Sequence, residues 1–294
     1  VLQSSPLLEY LNLNHIEVSP ENPSNGAVIP PNPIDLPRLS TIIIEDMSFD
    51  MASGLLARLI PSDACRISTI DVELEQGRDL SGFCHHAGRC ISRGLTQQVI
   101  DPRVYIMTDV LHLQMCLDIW LHISVIDWSG WEEQSTTPPR IQLARIFFEA
   151  GKGILLRSPI SQFYLRADSI PLVAEGIAMA HEFFPGIAEL DVATEDGLEA
   201  LEALAEPMDE GEKSVWRLPK LSALKIRVLG GGFHCDRIIA MVIKRTQAAA
   251  LSPGALSSIT SLKCTYACVQ RQSLDSLDEA GIKYELDSVV VISG

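Results

Sequence analysis

The densest group of metal-type ligands in the chain is Cys84-His85-His86 with Cys90. Structural zinc sites usually join one close pair of ligands to a second close pair elsewhere. Cys264 and Cys268, or His234 and Cys235, could supply that second pair if the fold brought them alongside. A second stretch with chemical potential is Gly230-Gly231-Gly232, which follows an apolar segment and precedes an amphipathic one. A phosphate-binding loop needs a Lys followed by Ser or Thr after its glycines, and a dinucleotide fold needs spaced glycines. His234, Cys235 and Asp236 follow instead, so the glycines read as a strand-to-helix turn. Neither a G-x-S-x-G elbow nor an H-E-x-x-H pair occurs. His181 lies on an apolar helix flank and reads as a packed histidine rather than a base. No catalytic set is assigned, and no cofactor is expected. Whether any of these groups meet depends on the elements that carry them.

The bulk properties narrow those elements. The chain has 294 residues, enough for one large domain or two small ones. Aromatics make up only 6% of it, so the core must be aliphatic. With 38 acidic and 23 basic residues the formal charge is −15, a field that repels polyanions. Nucleic acid and anionic membranes are therefore not expected as partners. No apolar run reaches the roughly 18–20 residues needed to span a bilayer. Seven cysteines at irregular positions (65, 84, 90, 116, 235, 264, 268) read as reduced thiols of a cytoplasmic or nuclear protein.

One spacing recurs along the chain. After Pro219 come Leu221, Leu224 and Ile226; after Pro6, Leu8, Leu11 and Leu13. After Pro37 come Leu39, Ile42 and Ile44; after Pro185, Ile187, Leu190 and Val192. Further copies without the proline are Ile67/Ile70/Val72, Trp120/Ile123/Val125, Ile160/Phe163/Leu165 and Ile259/Leu262/Cys264. Three residues and then two fits neither a plain helix nor a plain alternating strand. It suits a short strand that starts from a turn and then drops alternate residues into a shared core. In this reading Cys264 is simply the last inward position of its copy.

Amphipathic segments lie between most copies. Residues 51–60 place Met51, Leu55, Leu56 and Leu59 on one helical face, and Pro171–Phe183 follows Ser169 with Pro in its first turn. Asp196 is expected to cap a helix holding Leu198, Leu201 and Leu204, and Asp236 one holding Ile238 to Lys244. Ser273 is expected to start a last helix. Residues 104–125 read as two β segments, the first broken once, forming an irregular β insertion around 100–127 within a single domain spanning 1–294. Residues 22–33 and 127–139 read as loops.

Units of 25–40 residues cannot bury their own apolar face, so neighbours must stack. The L-x-x-L-x-L spacing with helical return segments resembles a leucine-rich-repeat solenoid. The strand starts LPRLSTIIIE, FPGIAELDVA and LPKLSALKIRV, with the acidic composition, resemble F-box-associated leucine-rich-repeat proteins, especially divergent ones of higher fungi. The asparagine that many such repeats carry after the strand is absent; Glu17, Met47, Ala193 and Val228 stand in or near its place. The resemblance implies an α/β fold, an irregular leucine-rich-repeat solenoid with parallel strands on the concave side and helices on the convex side. It further implies a non-enzymatic protein-recognition module, the substrate-binding part of an F-box protein in a cullin-type ubiquitin ligase. No segment here matches an F-box, so contact with the ligase adaptor is expected only through one outside this sequence. Two alternatives stand beside this reading. One is a scaffold of the same architecture unrelated to ubiquitin; the other is a small-molecule enzyme of unrecognised α/β fold using the glycine turn with His234 and Asp236.

In a solenoid, residues near 85 and near 265 lie at opposite ends, so no metal site is assigned. Strand parity separates inward from outward positions. Outward residues run from Tyr10 and Asn12 through Glu189 and Asp191 to Lys225 and Lys263, so the face turns from mixed or acidic to basic along the chain. The candidate partner-binding residues there are Gln162, Tyr164, Arg166, Lys225, Arg227 and Lys263. Trp128 and Trp131 are further candidates, because exposed tryptophans often anchor interfaces. Ten acidic residues between Glu189 and Glu212, with no Lys or Arg among them, read as a solvated face or a docking surface for a basic partner.

Overall fold

Four strands of the computed structural model are launched by the same proline turn. The N–H of Leu8 donates to Ser5 O, Leu39 to Leu36 O, Ile187 to Phe184 O and Leu221 to Leu218 O, at 3.0 to 3.1 Å. In each turn proline sits at the second position, which its fixed φ suits. Two successive N–H groups then converge on one carbonyl of the preceding strand start. Ala188 and Glu189 donate to Ser161 O, Ser222 and Ala223 to Ala188 O, and Thr260 and Ser261 to Ser222 O. Ser40 and Thr41 do the same with Glu9 O. Sharing one acceptor inserts an extra residue before strand alternation begins, as a bulge does. That extra residue is the physical origin of the three-then-two spacing.

The structure describes residues 2, 5–14, 16, 33–61, 66–74, 82–83, 85–87, 103–106, 110–116, 119–125, 141, 144–145, 148–149, 152, 160–210, 213–229, 233–265, 267–288 and 290–292, with 61, 66–69, 71–74, 103–106, 110–116, 119–125, 209–210, 213–214, 233 and 267 described by backbone alone. The chain divides into two compact units, Val1–Val99 with Asp109–Ser158, and Ile100–Thr108 with Pro159–Gly294.

The first unit begins with β1 (Tyr10–Asn14), β2 (Ile34–Leu36), β3 (Thr41–Ser48), α1 (Phe49–Arg58), β4 (Leu59–Pro61) and β5 (Arg66–Leu74). Three strands follow in sequence, β6 (Arg103–Ile106), β7 (Val110–Cys116) and β8 (Ile119–Val125). Within this unit the sheet runs β1-β3-β5-β8-β7, parallel except for the antiparallel β7–β8 pair. β7 and β8 form a hairpin, and β6, the segment before the break, belongs to the other unit. The expected alignment of apolar triplets slips here. Ile70 stands beside Ile44 and Leu121, rather than beside Ile42 and Ile123. Register shifts after Ile42 and Ile44 cause the slip between β3 and β5. Asp46, inside the second shift, has a φ of 51°, off the strand region. Helix α1 starts two residues before the expected Met51 and ends at Arg58; it buries Phe49, Ala52, Leu55 and Leu56.

The second unit continues with β9 (Gln162–Ala167), α2 (Ile170–Phe183), β10 (Glu189–Thr194), a 3-10 segment (Leu198–Ala205), and the hairpin β11 (Pro207–Glu210) and β12 (Lys213–Trp216). Then come β13 (Ala223–Val228), β14 (Phe233–His234), α3 (Asp236–Leu251), β15 (Ser261–Thr265), β16 (Ala267–Gln270), α4 (Arg271–Glu279), β17 (Lys283–Asp287) and β18 (Val290–Ile292). Strands β6, β9, β10, β13, β15 and β17 lie side by side in chain order, each parallel to the next. The order never reverses, so these strands offer no topological switch point of the doubly wound kind. The triplets align as expected. Phe163, Leu190, Leu224 and Leu262 form one inward row, and Leu165, Val192, Ile226 and Cys264 the next. Each is at most 1% exposed. Burying a side chain of this size stabilises by about 1.5–3 kcal/mol.

The connecting elements pack each on the next: α2 on the 3-10 segment, that segment on α3, and α3 on α4. Gly176 lets α2 lie close to β9, since a Cβ there would sit 2.5 Å from Leu165 Cδ1. The helix expected at 198–204 is a 3-10 segment with Gly197, not Asp196, at its N-cap. Leu198, Leu201 and Leu204 recur every three residues, and a helix of three residues per turn stacks them on one buried face. Asp236 opens α3 as its first residue, with Cys235 at the N-cap, and the helix runs seven residues beyond the expected Lys244. The Asp236 carboxylate instead accepts from Gln270 N–H (3.0 Å) and the Ser273 hydroxyl (2.6 Å), tying α3 to α4.

Arg245 is the largest fully buried side chain among the described residues. Its guanidinium donates to Leu204 O (2.7 Å), Arg217 O (3.0 Å) and Leu218 O (2.6 Å). Burial lowers its pKa to about 10, still high enough to keep the charge at neutral pH. Leu218 adopts φ 46°, rare for a bulky residue, and its N–H donates to His181 Nδ1 at 3.4 Å. His181 is therefore an acceptor in a packed node.

Candidate functional site

The face of the second unit opposite its inward rows collects all six strand residues singled out from the sequence. Gln162, Tyr164 and Arg166 stand on β9, Lys225 and Arg227 on β13, and Lys263 on β15. Register sets Tyr164, Asp191, Lys225, Lys263 and Glu285 in one row across β9, β10, β13, β15 and β17. Gln162 and Glu189 begin the row before it, and Arg166 and Arg227 belong to the row after. Trp128 and Trp131 lie outside the described residues, as do Gly230–Gly232, Cys84 and Cys90.

Three of the cations expected to make this face basic, Lys225, Arg227 and Lys263, are matched by neighbouring carboxylates. Lys225 pairs with Glu189 on the adjacent strand. Arg227 grips Asp191 with two bonds, 3.2 Å from Nε and 2.7 Å from a terminal nitrogen. Lys263 lies 2.6 Å from Glu285. In the first two pairs the cation is 42% and 46% exposed and its carboxylate 21%, so the cation arches over its partner. The Lys225 pKa is raised, chiefly by its bond to Glu189. Gln162 donates to the same Glu189 at 3.3 Å, and the Arg227 guanidinium lies 5.0 Å from the Tyr164 ring centroid. Glu189, Asp191 and Glu285 are the functional neighbours that residue types alone did not single out. The signal for them was present in strand parity, because each faces outward on a neighbouring strand: Glu285 directly beside Lys263, and Glu189 and Asp191 each two residues before the position in register with its cation. Exposed pairs of this kind contribute about 0–1 kcal/mol. A partner's own charges can therefore replace them at small cost.

The acidic stretch also meets cations. Arg237 pairs with Glu199 (2.5 Å) and Glu202 (2.6 Å), and Lys244 with Glu206 (3.0 Å). A pocket of about 270 Å³ opens beside Glu195, Asp196, Glu199, Glu202 and Arg237, past the ends of β10 and β13.

The thiols form a separate cluster. Cys264, inward on β15 as expected, donates to Cys235; that bond and burial push its pKa up, while the same bond lowers that of Cys235. The Cys235 N–H donates to Cys268 O at 2.9 Å, and His234 sits in register with Cys268. His234, Cys235, Cys264 and Cys268 are thus neighbours. Among the described residues, no group of His, Cys, Asp and Glu side chains is arranged to hold a metal ion. Nor is any helix among them long and apolar enough to cross a membrane.

The chain matches no protein-family model and no curated protein sequence.

Proposed function

We propose that this chain is a protein-recognition module built as an irregular leucine-rich-repeat solenoid, with the outward strand face as its binding surface. The carrying observation is the unreversed run of parallel strands from β6 to β17, whose four inward triplets share one register. Such a run repeats one outward surface at each step, the arrangement that repeat proteins use for extended binding faces. The face offers a tyrosine, an amide and weakly held ion pairs rather than a strong field. That composition suits a polypeptide partner with its own polar groups. Resemblance in the strand starts extends the reading to the substrate-binding part of an F-box protein in a cullin-type ligase, in the cytoplasm or nucleus.

The test exploits the Asp191–Arg227 pair. Exchanging its charges with Asp191→Arg and Arg227→Asp keeps an ion pair inside the molecule while inverting what a partner meets. The double variant, and Tyr164→Ala, should each weaken capture of specific cellular partners by about tenfold or more, at unchanged thermal stability. Cross-links from Lys225 and Lys263 should land on those partners. Undiminished capture by both variants would sink the assignment of this face. The ligase extension stands or falls on whether the full-length gene product raises ubiquitination of the captured partners; a plain scaffold would bind them and leave that level unchanged.

A further inference from the structure

Strand β17 ends its sheet, pairing with β15 and with no other described strand. Its Lys283 N–H donates to Thr260 O at 3.0 Å, toward β15. Alternation along a strand then turns the N–H and C=O groups of Tyr284 and Leu286 toward the open edge. The outward side chains are Lys283, Glu285 and Asp287, all exposed, and the inward ones, Tyr284 and Leu286, are half-buried. The next strand, β18, ends the small sheet β14-β16-β18 and leaves Val290, Val291 and Ile292 61%, 46% and 37% exposed. Open edges of this kind are normally blunted or covered.

We propose that the occupant of this edge is a second copy of the chain, its β17 antiparallel to the first about a two-fold axis through Glu285. The sequence Lys283-Tyr284-Glu285-Leu286-Asp287 is complementary to itself in that arrangement. Lys283 of each copy faces Asp287 of the other. Tyr284 faces Leu286 on the inward side, extending the apolar rows across the dimer. The same two residues are the ones whose backbone groups face the edge, so Tyr284 and Leu286 exchange two N–H···O=C bonds with their mates. Closed two-fold pairing also caps the edge, whereas a head-to-tail contact would propagate. One term opposes it: Glu285 meets its own symmetry mate, and like charges opposite each other destabilise a sheet. Each Glu285 is held by its own Lys263, which limits that repulsion.

Analytical ultracentrifugation of the whole chain over a concentration series tests the pairing. The wild-type protein should show a concentration-dependent dimer. Lys283→Asp alone and Asp287→Lys alone should each weaken it on the order of tenfold, and the double swap should restore it. Glu285→Gln should tighten it. These side chains are exposed, so circular dichroism and thermal midpoints should stay unchanged across the set. A monomer at every concentration up to about 1 mM, the weakest affinity worth assigning to a specific contact, overturns the proposal. So does a dimer indifferent to the single swaps, or one that the double swap fails to restore. A strand from some other protein as occupant would leave the purified chain monomeric and falls under the first of those outcomes.

Discussion

Arg245 joins α3 to two other segments from inside the core. Its donors reach the end of the 3-10 segment at Leu204 and the approach to β13 at Arg217 and Leu218. Arg217 adds a bond of 3.2 Å to Ala203 O, so two arginines satisfy the last carbonyls of the 3-10 segment, where a cation is favoured. The buried charge is answered by carbonyl dipoles, so the balance rests on keeping every bond. Arg245→Met removes a donor from Leu204 O and Arg217 O, each costing about 1–3 kcal/mol if it stays dry, while Leu218 O keeps the Leu221 N–H. We expect a loss of about 3 kcal/mol or more, read from the urea midpoint at constant slope. Arg245→Lys should recover only part of it, because a single ammonium cannot span the positions that a planar guanidinium fork reaches.

Elements in the second unit meet at distances that small residues permit. Gly176 is the clearest case: the wall opposite it is Leu165, itself fully buried, with two methyls and Cγ within 3.1 Å of where a Cβ would stand. Gly176→Ala should destabilise by about 1–3 kcal/mol despite alanine's better helix propensity, and a higher urea midpoint for the variant would refute the close-packing account. The strands were readable because their apolar triplets fix parity, and parity fixes the face. The strand starts carry a subtler signal. A hydroxyl follows the lead apolar residue in Leu39-Ser40, Leu221-Ser222 and Ile259-Thr260, and each donates to a carbonyl of the preceding strand start at 2.7 to 3.3 Å. What was not readable has a physical cause in each instance. Strand β17 has no proline turn. It starts from a Schellman cap on α4, in which Ile282 N–H bonds Leu277 O and Gly281 takes a φ of 67°. The slipped register of β5 depends on bulges, which leave no spacing rule in the residues around Asp46. In the 3-10 segment a leucine every third residue suits an α-helix equally, and only packing chooses between them.

At the scale of the whole molecule, the formal charge of −15 says little about the outward face, where Lys225, Arg227 and Lys263 each pair with a carboxylate of an adjacent strand. The sequence named the cations and missed their neutralisation, because pairing is a property of adjacent strands. One feature of the fold bears on how much this chain can change. The carbonyls of Ser161, Ala188 and Ser222 form a line across the sheet, each receiving the next strand start. Ile160, Ile187, Leu221 and Ile259 ride on that line, yet 27, 34 and 38 residues separate them. Length is therefore fixed at the starts and free in the returns. Two glycines inserted after Gly254, which has open space around it, should cost less than about 1 kcal/mol in the urea midpoint. One alanine inserted between Ser222 and Ala223 should abolish cooperative unfolding, because it turns Leu224 and Ile226 to the wrong face. The strand starts thus act as a ruler against which insertions are permitted or refused, and segments of foreign length can be grafted into the returns without disturbing the face they support.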